Sequence, residues 1–486
     1  MRKIFQLSNI LFACVFFLQG CQKDQDDIIQ PSLDNLEVQN FIWKGLNQYY
    51  LWQSDVPNLA DNRFANQAAL DVFLTNYKVP EDLFDALRVS QTIDRFSWMV
   101  DDYVTLEQSL QGTSKNSGVE FRLSRYSDGS NEIFGYVYYI IPDSDAAKKE
   151  IKRGDVFTAV NGIPLTVSNY ESLLFGSDDT FTLNMANITN NNIIPNNKSV
   201  SLTKTVLSEN PILVNKVIST GGKKIGYLMY NGFYSDFDSQ LNTAFGEFKS
   251  QGITDLVLDL RYNGGGSVRT ATYLASMITG QFTGKVFAKQ QWNSKINAYY
   301  EKNDPNGLRN FFTDKIGTTP INSVNMTKVY ILTTKSTASA SELIINGLKP
   351  HINVVQIGDV TTGKNVGSLT LYDSPDFSAT NRNTKHKYAM QPIVLKIVNS
   401  DGFGDYFNGL TPTHELKETI STYGILGDVN EPLLKLAIAK ITGTGKSASQ
   451  NSGKQFEYFK DSKSMNPYRN EMYLEKAPAG LQKALD

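Results

Sequence analysis

Two residues in this chain sit where their side chains could break a bond, Ser339 and Lys364. The segment Lys335-Ser-Thr-Ala-Ser339-Ala340-Ser341-Glu342 follows an apolar run that ends near Thr334 and precedes an apolar, helix-patterned run. A serine there stands at a helix N-terminus, where unpaired N–H groups and the helix dipole favour negative charge. Such a place can stabilise the oxyanion of an acyl-transfer step. Ser339-x-x-Glu342 is also a capping box, and taken alone the segment supports either account equally. The second piece is Val354-Val-Gln-Ile-Gly358-Asp-Val-Thr-Thr-Gly363-Lys364, a strand pattern that delivers a lysine on a glycine turn. A lysine held neutral can take the proton of a serine hydroxyl.

Other chemistries fit less well. His351, His386 and His414 stand alone, outside any H-E-x-x-H spacing, and no G-x-S-x-G elbow is present. Gly358 to Lys364 also matches the start of a phosphate-binding loop. Asn365 stands where that motif needs Ser or Thr, and Val366–Tyr372 reads as a strand instead of the required helix. Ser201-Leu-Thr-Lys204 matches S-x-x-K in a strand-like stretch, where positions i and i+3 face opposite sides.

The elements that must position these residues are legible as patterns. From Lys224 to Gly443 strands alternate with helices, which predicts an α/β core with mainly parallel pairing. Strands are expected at 225–230, 256–260, 329–334 and 354–357, and helices at 239–249, 268–279 and 339–348. Upstream, from Ser117 to Leu207, short strands and turns dominate. Gly154-Asp155 and Asn161-Gly162 are the clearest turn signals, a helical piece is expected over Ser144–Ile151, and Asn187–Lys198 is a polar insertion. From Leu36 to Asp102 apolar residues such as Phe41, Ile42, Leu46 and Tyr49 recur at helical spacing, with Trp and Phe assigned to the core. Residues after Thr442 show little periodicity and read as a loosely attached polar extension.

The N-terminus carries Arg2 and Lys3, an apolar run from Ile10 to Leu18, and then Leu18-Gln19-Gly20-Cys21, the pattern of a secretory signal. The run is short for a bilayer span. Cys14 and Cys21 are the only cysteines, so a mature chain would hold neither a disulfide nor a thiolate site. The chain has 47 basic and 49 acidic residues, which gives no electrostatic case for nucleic acid.

Taken together, Ser339-Ala-Ser-Glu, Gly363-Lys364 at a spacing of 25 residues, and Asp259-Leu-Arg261-Tyr-Asn263-Gly-Gly265-Gly266 resemble the C-terminal processing peptidases. The resemblance spans roughly residues 40–440. It implies Ser339 as nucleophile, Lys364 as base, and Gly265 and Ala340 as N–H donors to the oxyanion. It implies no cofactor and no metal. Many members place a glutamine four residues after the lysine to orient it; here that position is Ser368. The family often carries a PDZ domain, and residues 117–162 resemble one. The resemblance puts Gly118, Val119, Glu120 and Phe121 at a site for peptide C-termini. Leu18–Cys21 is similar to the lipobox of bacterial lipoproteins, which implies a lipid on Cys21 and an exported protein anchored to the cell envelope, at the outer membrane.

The expected architecture is multidomain α/β: an N-terminal helical region, a PDZ-like β domain and an α/β catalytic core of the ClpP/crotonase type. The boundaries are a signal over 1–20, a tether over 21–34, the helical region over 35–112, the PDZ-like domain over 113–210, the peptidase domain over 211–443 and the extension over 444–486. The expected partners are peptide or protein substrates and a membrane. A non-catalytic lipoprotein that holds peptides on its PDZ-like domain is the alternative, and an esterase using the same pair is a third.

Overall fold

The computed structural model describes residues 36–444, 456–465 and 471–481, apart from 128, 190–191 and 421–422. The signal sequence, the tether and Cys21 lie outside the described residues.

The helical region opens with α1 (Glu37–Tyr49), which buries Phe41, Ile42, Leu46 and Tyr49 along one face, as their spacing predicts. Next come α2 (Gln67–Leu74), capped by Asn66, α3 (Pro80–Ala86), with proline in its first turn, and α4 (Tyr103–Leu110), capped by Asp102. The buried faces of α1, α2 and α3 join one apolar cluster with Leu228, Phe245, Leu258 and Leu343. The helical region therefore shares the core of the α/β part.

The β domain has its own apolar cluster, centred on Leu123, Val137, Phe157 and Leu183. Its strands are β1 (Val119–Arg125), β2 (Ile133–Ile140), β3 (Val156–Val160), β4 (Thr180–Thr189) and β5 (Asn192–Thr203), with the short helix α5 (Tyr170–Phe175) between β3 and β4. The sheet runs β1-β2-β3-β4-β5, antiparallel throughout. The polar insertion at 187–198 is mostly strand, the outer part of the long β4–β5 hairpin. The helix expected over 144–151 is only a 3-10 turn at Ala146–Lys148.

The α/β part begins with β6 (Ile212–Thr220) and β7 (Lys223–Tyr230), followed by α6 (Asp238–Gln251), β8 (Asp255–Asp259), β9 (Gly266–Ser267) and α7 (Val268–Thr279). It continues with β10 (Val286–Trp292), α8 (Ser294–Asn303), β11 (Arg309–Phe311), β12 (Lys328–Thr333), α9 (Ala340–Leu348), β13 (Asn353–Gly358) and β14 (Val366–Leu369). β15 (Ile393–Asn399), β16 (His414–Glu415) and α10 (Pro432–Thr442) complete it. One sheet runs β6-β7-β8-β12-β13-β16, parallel from β7 onward. Both β8 and β12 are buried along nearly their whole length, as a sheet covered on both faces requires.

The tail departs from expectation. Glu457–Asp461 forms β17 and Met472–Leu474 forms β18. β17 pairs antiparallel with β1. β18 lies inside the second sheet, whose order is β9-β18-β14-β15-β10-β11. Strands of five and three residues are too short for a period to show in the sequence.

Candidate active site

Ser339 lies between β12 and the first turn of α9 with φ 65° and ψ −118°. That backbone is strained for any residue with a Cβ, at a cost of about 1–3 kcal/mol. Neighbours impose it. Thr337 Oγ1 donates to Leu260 O at 2.8 Å, Ala338 N–H to Asn263 O at 3.1 Å, and Ser341 Oγ to the same oxygen at 3.0 Å. The turn is thus tied to the Asp259–Gly266 segment. Gly265, with φ 117°, is there because of close approach: a Cβ on it would stand 2.6 Å from Ser339 Cβ and 2.9 Å from Ser339 Oγ. The hydroxyl is fully buried and has no partner at hydrogen-bond geometry among the described residues.

Glu342 joins the two halves of the site. Its Oε2 accepts the N–H of Ser339 and the N–H of Lys364, each at 2.8 Å. Those two nitrogens therefore lie no farther apart than twice that distance. Oε1 accepts from Gly363 N–H at 2.7 Å and from Thr361 Oγ1 at 2.5 Å. Burial pushes the Glu342 carboxyl up from its ordinary value, and these four donors oppose the push. The capping glutamate of the sequence pattern is a clamp between the serine turn and the lysine turn.

Lys364 is fully buried. Its Nζ lies 3.1 Å from Glu471 Oε2 and 4.6 Å from the centre of the Phe96 ring. Burial lowers its pKa below the ordinary lysine value, against the pull of Glu471. Burial in turn pushes the Glu471 carboxyl up, opposed by Lys364. Arg95 donates to Gly363 O at 2.6 Å and steadies the turn. Glu471 also accepts from Trp98 Nε1 at 3.0 Å, and Ser368 Oγ lies 3.1 Å from its Oε2. Gln391 Nε2 donates to Ser368 Oγ at 2.9 Å.

The fold brings Ser339, Ala340, Gly265, Lys364 and Ser368 to one place. The Gly265 N–H is donated to Asn263 Oδ1 at 2.9 Å, so serving an oxyanion would require that bond to be exchanged. Ser368 reaches Glu471 instead of acting alone beside the lysine. Gly118, Val119, Glu120 and Phe121 lie in the β domain. Gly118 N–H bonds Asn116 Oδ1 at 2.8 Å, and Phe121 N–H bonds Ser462 Oγ at 3.0 Å. His351 packs on Phe282 and Phe312, and His386 pairs with Asp373 at 3.0 Å.

Phe96, Trp98, Gln391 and Glu471 escaped sequence reasoning. Phe96 and Trp98 fall among the aromatics that sequence pattern places in the core, and nothing in a run of helical spacing distinguishes an aromatic that lines a lysine pocket. Glu471 lies in the segment read as an extension.

A second buried cluster holds the start of the same loop. Arg261, fully buried, is 2.8 Å from Asp259, 2.9 Å from Glu418 and 2.6 Å from Glu431. Arg153 of the β domain reaches Glu418 at 2.7 Å. Against burial, Arg153 and Arg261 hold the Glu418 carboxyl down at about 2.

Residues 224–391 match the model of peptidase family S41, and residues 37–98 match the peptidase S41 N-terminal domain. The two matched segments carry the S41 peptidase domain and its N-terminal domain. The chloroplastic carboxyl-terminal-processing peptidase 1 of Arabidopsis thaliana is 27% identical over 316 residues, which cover 64% of this chain and 59% of that protein. The carboxyl-terminal-processing protease of a Picosynechococcus strain is 22% identical over 280 residues, 57% of this chain and 60% of the relative. The S41 match to these relatives thus spans roughly three-fifths of their length. A crystal structure of an S41 protease from Bacteroides fragilis superposes with a TM-score of 0.64 at 25% identity, covering 84% of this chain and 98% of that one. The multidomain α/β architecture of this S41 chain is shared with that structure.

Proposed function

We propose that this S41 protein is a serine-type endopeptidase that uses Ser339 as nucleophile and Lys364 as general base. One observation carries the proposal. A strained serine with an unpartnered, buried hydroxyl and a lysine whose pKa burial lowers are clamped by the same carboxylate, Glu342. Neither feature serves stability, since the strain and the buried amine both cost free energy.

In the proposed reaction, neutral Lys364 takes the Ser339 proton as Oγ attacks a peptide carbonyl. Burial, which lowers the Lys364 pKa against the pull of Glu471, supplies the neutral amine this step needs. The negative oxygen rests on the Ala340 N–H, at the start of α9, and on the Gly265 N–H once it leaves Asn263 Oδ1. Lys364 then gives its proton to the leaving amine, and water, deprotonated by the same lysine, releases the acyl group from Ser339. The PDZ-like β domain would take extended peptides by strand addition, with their C-termini toward Gly118–Phe121. Export and a lipid on Cys21 belong to the same proposal, which places the substrates among proteins of the cell envelope.

The test is degradation of casein by a soluble form lacking residues 1–21, beside Ser339→Ala and Lys364→Ala. Loss of turnover in both variants, with melting temperatures kept, is the expected result. Turnover that survives Ser339→Ala would remove the mechanism.

A further inference from the structure

The catalytic residues are closed in, and the covering chain is the protein's own. Ser339 and Lys364 are both fully buried. β18 lies between β9, which leads out of the Gly265–Gly266 turn, and β14, which follows Lys364. Gly266 pairs with Met472, Ser267 and Ser368 both pair with Tyr473, and Leu369 pairs with Leu474. Without β18, β9 and β14 would present facing edges, each with unpaired backbone donors and acceptors. A slot between two strand edges accepts one extended peptide by main-chain hydrogen bonds.

The chain enters the slot beside the nucleophile. The Glu471 carbonyl oxygen lies 2.7 Å from the point where a Gly265 Cβ would stand, and Ser339 Oγ lies 2.9 Å from that same point. A main-chain carbonyl oxygen of the tail and the nucleophile thus crowd the same glycine. The Glu471 carboxylate meanwhile pairs with Lys364 Nζ at 3.1 Å. An ion pair there favours the charged amine, which has no lone pair with which to accept the serine proton.

The second strand of the tail occupies the β-domain edge in the same manner. β17 runs antiparallel to β1, with Glu457 opposite Arg125 and Asp461 opposite Arg122. Ser462 N–H then donates to Phe121 O at 2.9 Å. Lys460 Nζ donates to Tyr170 OH on α5 at 2.9 Å, and the Phe459 ring packs on Tyr170 with centroids 5.3 Å apart. The strand thus bridges β1 and α5, the two elements between which a PDZ-like domain would seat a peptide.

We infer that strands Glu457–Asp461 and Met472–Leu474, with Glu471, occupy in cis the two stations of an extended peptide substrate, and that this occupancy restrains the enzyme. The inference rests on the peptidase proposal and adds its regulation. An incoming unfolded polypeptide would have to displace β18 before Ser339 could act. A competitor carried on the same chain acts at a high effective concentration, so its release is worth a large factor in rate.

The test uses the full chain lacking only residues 1–21. Tyr473→Pro removes a ladder N–H from a strand paired on both edges. The readouts are the rate of Ser339 labelling by a fluorophosphonate and the turnover of casein. The expected result is an increase of about 10- to 100-fold in both. A synthetic peptide spanning residues 471–481 should then inhibit the variant competitively. Glu471→Gln guards against a folding defect in the proline variant: it should label faster, with a pH midpoint below that of the wild type. If the wild type is active and both variants, with melting temperatures kept, react more slowly or at the same rate, β18 belongs to the working machinery. The inference then falls while the peptidase proposal stands. If wild type and variants neither label nor cleave, the peptidase proposal fails and takes the inference with it.

Discussion

Two clusters of buried charge lie at the two ends of the Asp259–Gly266 segment, and they are built to opposite ends. At the first, Arg261 meets Asp259, Glu418 and Glu431. Tyr227 OH donates to Asp259 at 2.7 Å and Tyr262 OH to Glu418 at 2.6 Å. Every ion there has partners of opposite charge and further donors, the condition under which buried charge is tolerated. At the second, burial pushes Lys364 toward neutrality and Ser339 Oγ has no hydrogen-bond partner among the described residues. The first cluster fixes where the loop is; the second holds a lysine that burial drives toward neutrality beside a strained serine, and so keeps its groups reactive.

The largest effects should fall on opposite observables at the two ends. Ser339→Ala should lower casein turnover by about 10⁴-fold or more. Its melting temperature should hardly change, because the hydroxyl made no hydrogen bond to lose. A large loss of stability with modest loss of turnover would assign Ser339 to the scaffold. Arg261→Met should do the reverse. It takes the guanidinium from Asp259 and Glu431 in the interior and leaves Glu418 with Arg153 alone, at a cost of about 3–5 kcal/mol in urea unfolding. A loss under 1 kcal/mol would show that the first cluster is not what holds the loop.

Acid should reveal the same contrast. Glu418 is held at about 2 in the folded protein, against an ordinary value of 4.5. A depressed carboxylate contributes stability that is full above the unfolded value and is lost as pH falls through the folded value. Glu418 should therefore contribute about 3 kcal/mol that disappears between pH 4.5 and 2. Glu342 and Glu471 are shifted upward and work in the opposite sense. In Glu418→Gln the acid limb of the unfolding curve should flatten. An unchanged limb would mean that other carboxylates dominate it.

Activity should depend on pH through the other cluster. Deprotonation of Lys364 is required, so turnover should rise with pH. Burial places the midpoint below the ordinary lysine range of about 10.4. A midpoint at or above that range would contradict the role of a buried base.

How much of this was legible differs along the chain. The α/β alternation and the short strands around Val119–Val160 could be read because buried parallel strands are continuous apolar runs and turns carry Gly or Asn-Gly. Ser339 and Lys364 stood out through their neighbours, small residues before a helix and a glycine turn after a strand. Glu342 was visible, yet only as a cap; that its carboxylate also receives Gly363 and Lys364 depends on a contact made across the fold. Phe96, Trp98 and Glu471 left no mark, since each reaches the lysine from a distant segment. Strands as short as β17 and β18 owe their pairing to the edges they fill and carry too few residues to show a period.

Ser368 offers the smallest effect and the sharpest choice. It stands four residues after the lysine, where many relatives place a glutamine, and its hydroxyl accepts from Gln391 at 2.9 Å. It lies 3.1 Å from Glu471 Oε2 and 3.2 Å from Met472 O, both atoms of the chain that fills the slot. If its part is to hold that chain, Ser368→Ala should loosen it by about one hydrogen bond, or about 1 kcal/mol. Fluorophosphonate labelling of Ser339 should then speed up about fivefold. A fall in labelling would instead mean that the hydroxyl serves the lysine, and that Gln391 through Ser368 does from another strand what a glutamine at this position does in many relatives.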